Sequence, residues 1–483
     1  MASILFVLLS FQVHAWEGPT YQAKKAQIGK RNLTHKAYSV SPGFYTLTEK
    51  TFNRLSKVWP RELRKRLKRD PSKFRELAYQ RYGFLKAPYD NKGAPLGFVV
   101  KPDGRWEGSC FMCHAGSVGG KVILGLGNNQ IDIGTFTEDR IKQIKRYPIS
   151  SNAYPINFPK ALSESLMVRL YERSYFSKYR HQLSKGTPNV VSGWSAILGG
   201  RNIDMDPFGF PRSLKINVFG SIPVDSDMPA WFTTSVKSRI WVDGFSPLTR
   251  RTIMSPAAAP LNPEFKKWES EFDDVLHYIK SLKAPSYENS FPGRIDWKMA
   301  KKGEDHFYQS CSNCHGDYER VAGVMTLLFP EERIPLSKLK TDPARVRKGL
   351  TVSWRQFYQN SWLGNYGKDK FVVDPKGYMA PPLLGVWATA PYLHNGSVPT
   401  LYHLLFESER PKIWKVTDYK KYDHKNMGLS FNKFLSVPIV YDNEMKRRFF
   451  DTTGHSKSNK GHSFGSELSE QQKWELLEYL KTL

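Results

Sequence analysis

Apolar residues recur at helical spacing in two widely separated segments. Residues 275–282 read Val-Leu-His-Tyr-Ile-Lys-Ser-Leu and residues 476–483 read Leu-Leu-Glu-Tyr-Leu-Lys-Thr-Leu. Each pattern predicts an amphipathic helix with one face on a core. Tyr278 and Tyr479 are 201 positions apart (479 − 278 = 201). Another helix is predicted from Trp297 through Phe307 and Tyr308. Residues 97–104, Gly-Phe-Val-Val-Lys-Pro-Asp-Gly, instead alternate and turn like a hairpin. In the basic run 61–69, Leu63 and Leu67 fall on one helical face and point inward. An apolar stretch over 4–13 is too short to span a bilayer. It precedes Val13-His14-Ala15, a small-residue cleavage pattern, so 1–15 read as a signal peptide. No other segment reaches the roughly eighteen apolar residues a membrane span needs, so none is expected.

Four cysteines occur, all within two signatures of one form: Cys110-Phe111-Met112-Cys113-His114 and Cys311-Ser312-Asn313-Cys314-His315. C-x-x-C-H is the attachment pattern of c-type haem, in which two thiols bond to the porphyrin edge and the next imidazole becomes the proximal iron ligand. Thiols three positions apart on one helical turn reach both porphyrin substituents while the following side chain swings under the iron. A zinc site is the competing reading, but each pair lacks the second C-x-x-C or H-x-H half of a tetrahedral set. The expected cofactors are therefore two covalently bound haem c groups. Cys110, Cys113, Cys311 and Cys314 attach them, and His114 and His315 are the proximal ligands. These histidines are also 201 positions apart (315 − 114 = 201). Each copy thus runs from a haem-binding turn to a closing helix. Covalent attachment takes place outside the cytoplasm, which agrees with the leader and points to a periplasmic or secreted protein.

The expected fold is mainly α: two cytochrome c-type haem domains in tandem, with long loops and a few short strands. Residues 16–100 form an N-terminal helical extension, 101–288 the first haem domain and 289–483 the second. A linker rich in turn formers covers 283–293, and 189–206 and 363–377 read as loops. At 483 residues the chain has room for these cores. A net charge of +27 favours acidic partners, a small acidic electron-transfer protein foremost. Nucleic acid is excluded as a partner, because the basic residues are scattered and the leader directs export.

The stretch 378–401, with Tyr378-Met379-Ala380-Pro381-Pro382 and Pro391-Tyr392-Leu393-His394, resembles the bacterial dihaem cytochrome c peroxidase superfamily, and most of all its rubber-oxygenase-like branch. Segments 106–110, 225–231 and 459–464 support the likeness, which is specific over 290–483, looser over 100–290 and absent from 16–100. The resemblance implies that the first haem reacts with peroxide or dioxygen and the second transfers electrons. Reduction of peroxide takes two electrons, which two one-electron centres supply. Some relatives hold calcium between their domains, so calcium is a further expectation.

The sixth iron ligand separates an enzyme from a wire, because a six-coordinate iron cannot bind an oxidant. Where the peroxidases carry a methionine, this chain has Phe406-Glu407-Ser408, with no methionine until Met427. Tyr402 sits too early to match the tyrosine of the enzyme that matures methylamine dehydrogenase. The rubber oxygenases use a histidine near the C-terminus. His462 fits that pattern first, with His455 and His403 as alternatives; the competing reading of His462 is a surface loop residue. His394 reads as a turn anchor near the haem. In the first domain His181 and His277 stand at no obvious ligand distance, so its haem keeps an open position unless Met254, beside Pro256, ligates it. Met254 reads equally as a core methionine. Trp231 and Phe232 lie where the rubber oxygenases place an aromatic pair in the opposite order, and Phe245 is a pocket-wall candidate. Gln130 and Glu138 are candidate distal acid/base groups. A non-enzymatic dihaem electron carrier is the alternative to the oxidoreductase.

Overall fold

Two close helix crossings set the plan. Pro19–His35 packs along Glu269–Ser281, and Trp297–Ser310 packs along Glu470–Thr482. Both crossings need a glycine. A Cβ on Gly29 would lie 2.0 Å from the carbonyl oxygen of Asp274, and one on Gly303 would lie 2.0 Å from that of Glu475. Asp274 and Glu475 are again 201 apart (475 − 274 = 201). Pro19–His35 thus meets the first closing helix as Trp297–Ser310 meets the second, although it lies inside the expected N-terminal extension. The apolar stripes behave as their periodicity predicts: Phe272, Val275, Tyr278 and Ile279 are buried on one closing helix, and Leu476, Leu477, Tyr479 and Leu480 on the other. Asp296 caps Trp297–Ser310 by accepting from the amides of Lys298 and Met299. A Ser469/Gln472 capping box starts the last helix.

The structure, a computed structural model, describes residues 19–36, 38, 47–146, 183–187, 224–255, 265–321, 324–349 and 351–483. The expected leader 1–15, His181 and the expected loop 189–206 lie outside them. No helix among the described residues is long and apolar enough to cross a membrane.

Helix and strand are mixed, with more strand than the few short ones expected. Among the described residues sixteen short strands pair in seven small antiparallel sheets. They fall in the connections, where short apolar or β-branched runs are bounded by turns and helical periodicity is absent. Lys121–Leu124 pairs with Ala115–Val118 directly after the first cysteine turn, and Val324–Leu328 with Asp317–Val321 after the second. The hairpin expected near 97–104 forms between Phe98–Val100 and Arg105–Gly108. The basic helix Arg61–Arg69 buries no residue fully, and Leu63 and Leu67 lean on the cluster around Phe52, Trp59 and Trp106.

A buried charge network ties the two halves. Arg447, on Asn443–Arg447, bonds Asp132 at 3.0 Å and Glu138 at 3.1 Å, and donates to the Thr135 hydroxyl at 2.6 Å. Arg447 and the backbone and hydroxyl of Thr135 outweigh desolvation and hold the Asp132 carboxyl below its usual range. A carboxylate with a lowered folded pKa contributes stability that is complete above its unfolded value, about 3.9, and is lost as pH falls through the folded one. Asp132→Asn, which leaves Arg447 short of a buried partner, is expected to cost about 3–5 kcal/mol at pH 7. The loss should shrink as pH falls below about 4, as read by urea denaturation. Gly303→Ala is expected to cost about 1–3 kcal/mol in the same assay through overpacking against Glu475.

Candidate haem site

The two C-x-x-C-H segments fold alike although different elements deliver them. The first is entered from the strand Arg105–Gly108 and the second from the helix Trp297–Ser310. In each, the histidine amide donates to the carbonyl of the first cysteine, His114 to Cys110 at 2.9 Å and His315 to Cys311 at 3.1 Å. That bond closes one helical turn and throws the imidazole to the side of both thiols. All four cysteines are free. Burial pushes the Cys110 thiol up to about 11, and Cys113 and Cys311 up to about 12, keeping them protonated near neutral pH.

Both turns open onto one cavity of about 700 Å3. Cys110, Cys113, His114, Cys311, Cys314 and His315 all line it, as do Trp231, Phe245 and His462. His315 Nδ1 donates to the carbonyl oxygen of Pro381 at 2.8 Å, which leaves its Nε2 lone pair free. His462 faces it, with ring centres 6.1 Å apart and planes inclined by 53°. Two imidazoles sharing a metal at about 2.0–2.1 Å per nitrogen have centres about 6 Å apart, so this pair fits an iron between them. Burial, then the nearness of the His315 ring and the Arg410 charge, pushes His462 down to about 3, and burial lowers His315 as well. Both are neutral, as ligation requires. His462 sits at φ 55° behind Gly461, φ 81°, where any Cβ would strike the Lys340 carbonyl carbon at 2.4 Å. The glycine lets the loop press close enough for the His462 amide to bond the Leu339 carbonyl at 2.9 Å.

Around His114 the surroundings differ. Its ring stacks on Trp231 at 4.4 Å and 20°, and burial pushes it down to about 4. No atom meets hydrogen-bonding geometry with its Nδ1, although the carbonyl of Pro229 lies beside it. Trp231 and Phe232 divide between two cores: Trp231 packs with the cluster around Phe111 and Tyr278, Phe232 with that around Phe307 and Trp387. The pair therefore stands where the halves meet. Phe245 stacks on Trp241 at 6.1 Å and meets the edge of Tyr358 at 5.8 Å, both also on the cavity wall.

Other candidates lie elsewhere. Met254 is fully buried in an apolar cluster, and its neighbours Thr252, Ile253 and Ser255 line the cavity while it does not. His403 is buried away from the cavity, its Nδ1 2.7 Å from the Thr400 hydroxyl, and His455 is exposed in a turn. His277 donates from Nδ1 to the Asp273 carbonyl at 2.8 Å, on the closing helix. His394 lines the cavity stacked on Tyr378 at 4.0 Å. Gln130 donates to the Ser117 hydroxyl, and Glu138 is held by Arg447; neither lines the cavity. Sequence reasoning missed Arg345 and Thr341, which belong to no motif, and the role of the Pro381 carbonyl, which lies in the quoted stretch 378–401 but acts through its backbone. Among the described residues no group of three or more His, Cys, Asp or Glu gathers to hold a metal ion, so the expected calcium gains no site from them.

The family described as RoxA-like, cytochrome c-like matches residues 377–415. That segment supplies the carbonyl that orients His315 and the cavity residues Tyr378, Pro391 and His394. Two proteins of Sinorhizobium fredii (strain NBRC 101917 / NGR234) are also similar. Uncharacterized protein y4iJ is 29% identical over 261 residues, covering 42% of this chain and 41% of its own. Uncharacterized protein y4iM is 34% identical over 121 residues, covering 22% and 27%. The chain therefore spans less than half the length of either relative. Residues 377–415 carry a RoxA-like, cytochrome c-like segment, which supports the rubber-oxygenase-like cytochrome c branch and points to a c-type cytochrome.

Proposed function

We propose that the chain is an exported dihaem c-type oxidoreductase of the rubber-oxygenase-like kind. Cys110, Cys113 and His114 would hold one haem, and Cys311, Cys314, His315 and His462 the other. The observation that carries this reading is the convergence of both C-x-x-C-H turns on one cavity, with His462 facing His315. Bound haem supplies one-electron chemistry at both places and, where the iron keeps an open position, binds peroxide or dioxygen. The residues divide the work. The Pro381 carbonyl fixes the proton of His315 on Nδ1. Trp231 holds the plane of the His114 ring by stacking on it. Phe245, Trp241 and Tyr358 keep one wall of the cavity aromatic and exclude water. The electron partner is a small acidic protein, suited to a chain of net charge +27.

Purified from a host that attaches haem, the protein is expected to give one high-spin and one low-spin ferric signal by electron paramagnetic resonance, the high-spin one responding to peroxide. Two low-spin signals indifferent to peroxide, azide and carbon monoxide would favour a plain electron carrier. His462→Ala is expected to convert the low-spin signal to high-spin while the intact mass keeps both haems. His455→Ala should leave the spectrum unchanged. Trp231→Ala is expected to slow peroxide or dioxygen turnover by about tenfold or more through loss of His114 orientation, with both haems retained.

A further inference from the structure

Four cations line the cavity: Lys237, Arg239, Arg345 and Arg447. Three have their donors engaged or a carboxylate beside them. Arg447 bonds Asp132 and Glu138, Arg239 donates to the carbonyls of Gly244, Phe245 and Lys370, and Lys237 lies near Glu331. Arg345 differs. It is 2% exposed, yet its Nε and Nη1 have no hydrogen-bond partner. Its nearest carboxylate oxygen, on Asp243, lies 3.9 Å from Nε and receives Arg355 at 3.2 Å. One carboxylate thus stands between two buried guanidiniums. Asp342 beside them is spent on the amides of Ala344 and Ser458. A guanidinium cannot shed its charge, and leaving its donors bare in an interior costs several kilocalories per mole. Thr341, four residues earlier and also on the cavity wall, has a buried hydroxyl without a partner. The segment from Leu339 to Arg345 also anchors His462, whose amide bonds Leu339. The segment that carries the bare donors therefore runs along the part of the cavity that holds the His315–His462 pair.

We propose that Thr341 and Arg345 form a carboxylate-binding subsite, occupied by a propionate of the haem held between His315 and His462. The inference rests on the dihaem reading and adds to it the group that orients that haem within its plane. The planar fork of Arg345 matches a carboxylate in geometry, and the threonine hydroxyl adds a third donor. A cation paired with the propionate offsets its negative charge, which otherwise favours the ferric state.

The test uses holoprotein whose covalent haem content is first fixed by intact mass. Arg345→Gln is expected to keep both haems and to shift the ferric–ferrous equilibrium of the low-spin haem toward ferric by on the order of tenfold, about 59 mV for one electron. It should also move the propionate bending band in resonance Raman spectra. Arg345→Lys, which keeps charge without the fork, should move the band with a smaller potential shift, and Thr341→Val should move the band alone. An unmoved band and potential in Arg345→Gln with both haems present, together with a lower melting temperature, would mean that Arg345 serves Asp243, and would overturn the proposal. A wild-type spectral response to added succinate that Arg345→Gln abolishes, at unchanged potential, would place the carboxylate on a free ligand and equally overturn it. Wild-type protein without covalent haem would remove the dihaem reading itself, a result the mass gives before any variant is compared.

Discussion

At Gly303 the helix that delivers the second cysteine turn comes so close to the closing helix that one added methyl group would meet the Glu475 carbonyl. The same approach recurs at Gly29 against Asp274. Packing this tight fixes the axial position of each helix, because a shift by one residue would bring a side chain where only hydrogen fits. In the second half the consequence is direct: Cys311 begins where Trp297–Ser310 ends, so the crossing sets where both thiols and His315 face the cavity. In the first half a long excursion separates Pro19–His35 from Cys110. There a strand and the cluster around Phe52, Trp106 and Met112 take over the positioning. Two routes lead to one turn geometry, which suggests that the turn, rather than the element preceding it, is what the cofactor requires.

The cavity combines neutral imidazoles with charges held at its margin. Burial keeps His114, His315 and His462 unprotonated, and one carbonyl directs the proton of His315 away from the side that would face iron. The strong charges are placed where partners stabilise them, as in the Arg447, Asp132 and Glu138 network that joins the halves. The same burial pushes the Asp227 carboxyl well above its usual range. Such a site holds an apolar, weakly charged ring system well and a hydrated ion poorly. Arg345 is the exception, and its bare donors are costly unless an anion completes them.

Much of this arrangement is legible in the sequence. The closing helices announce themselves by apolar spacing, and the residues their faces bury follow it. C-x-x-C-H carries its own chemistry, and the ring of His462 stands opposite that of His315. Other features leave no local trace. The strands are two to five residues long and held by pairing across turns, so nothing in their composition outweighs the helical background. Pro19–His35 has no motif to connect it with Glu269–Ser281; only the glycine at position 29, seen against its partner, reveals the contact. Met254 beside a proline looks like a ligand because sequence shows adjacency and not direction, and its side chain turns into an apolar cluster. The carbonyl of Pro381 and the guanidinium of Arg345 act through position alone.

On the function proposed above, two thiol pairs and their histidines carry two porphyrins at one shared cavity. The most direct measurement is the intact mass of the mature chain recovered from a host with haem-attachment machinery, with each cysteine pair changed to alanines in turn. An added mass of two haem groups is expected in the wild type and of one in each double variant, Cys110→Ala with Cys113→Ala and Cys311→Ala with Cys314→Ala. An unmodified wild-type mass, or the loss of both groups only when one particular pair is changed, would contradict it.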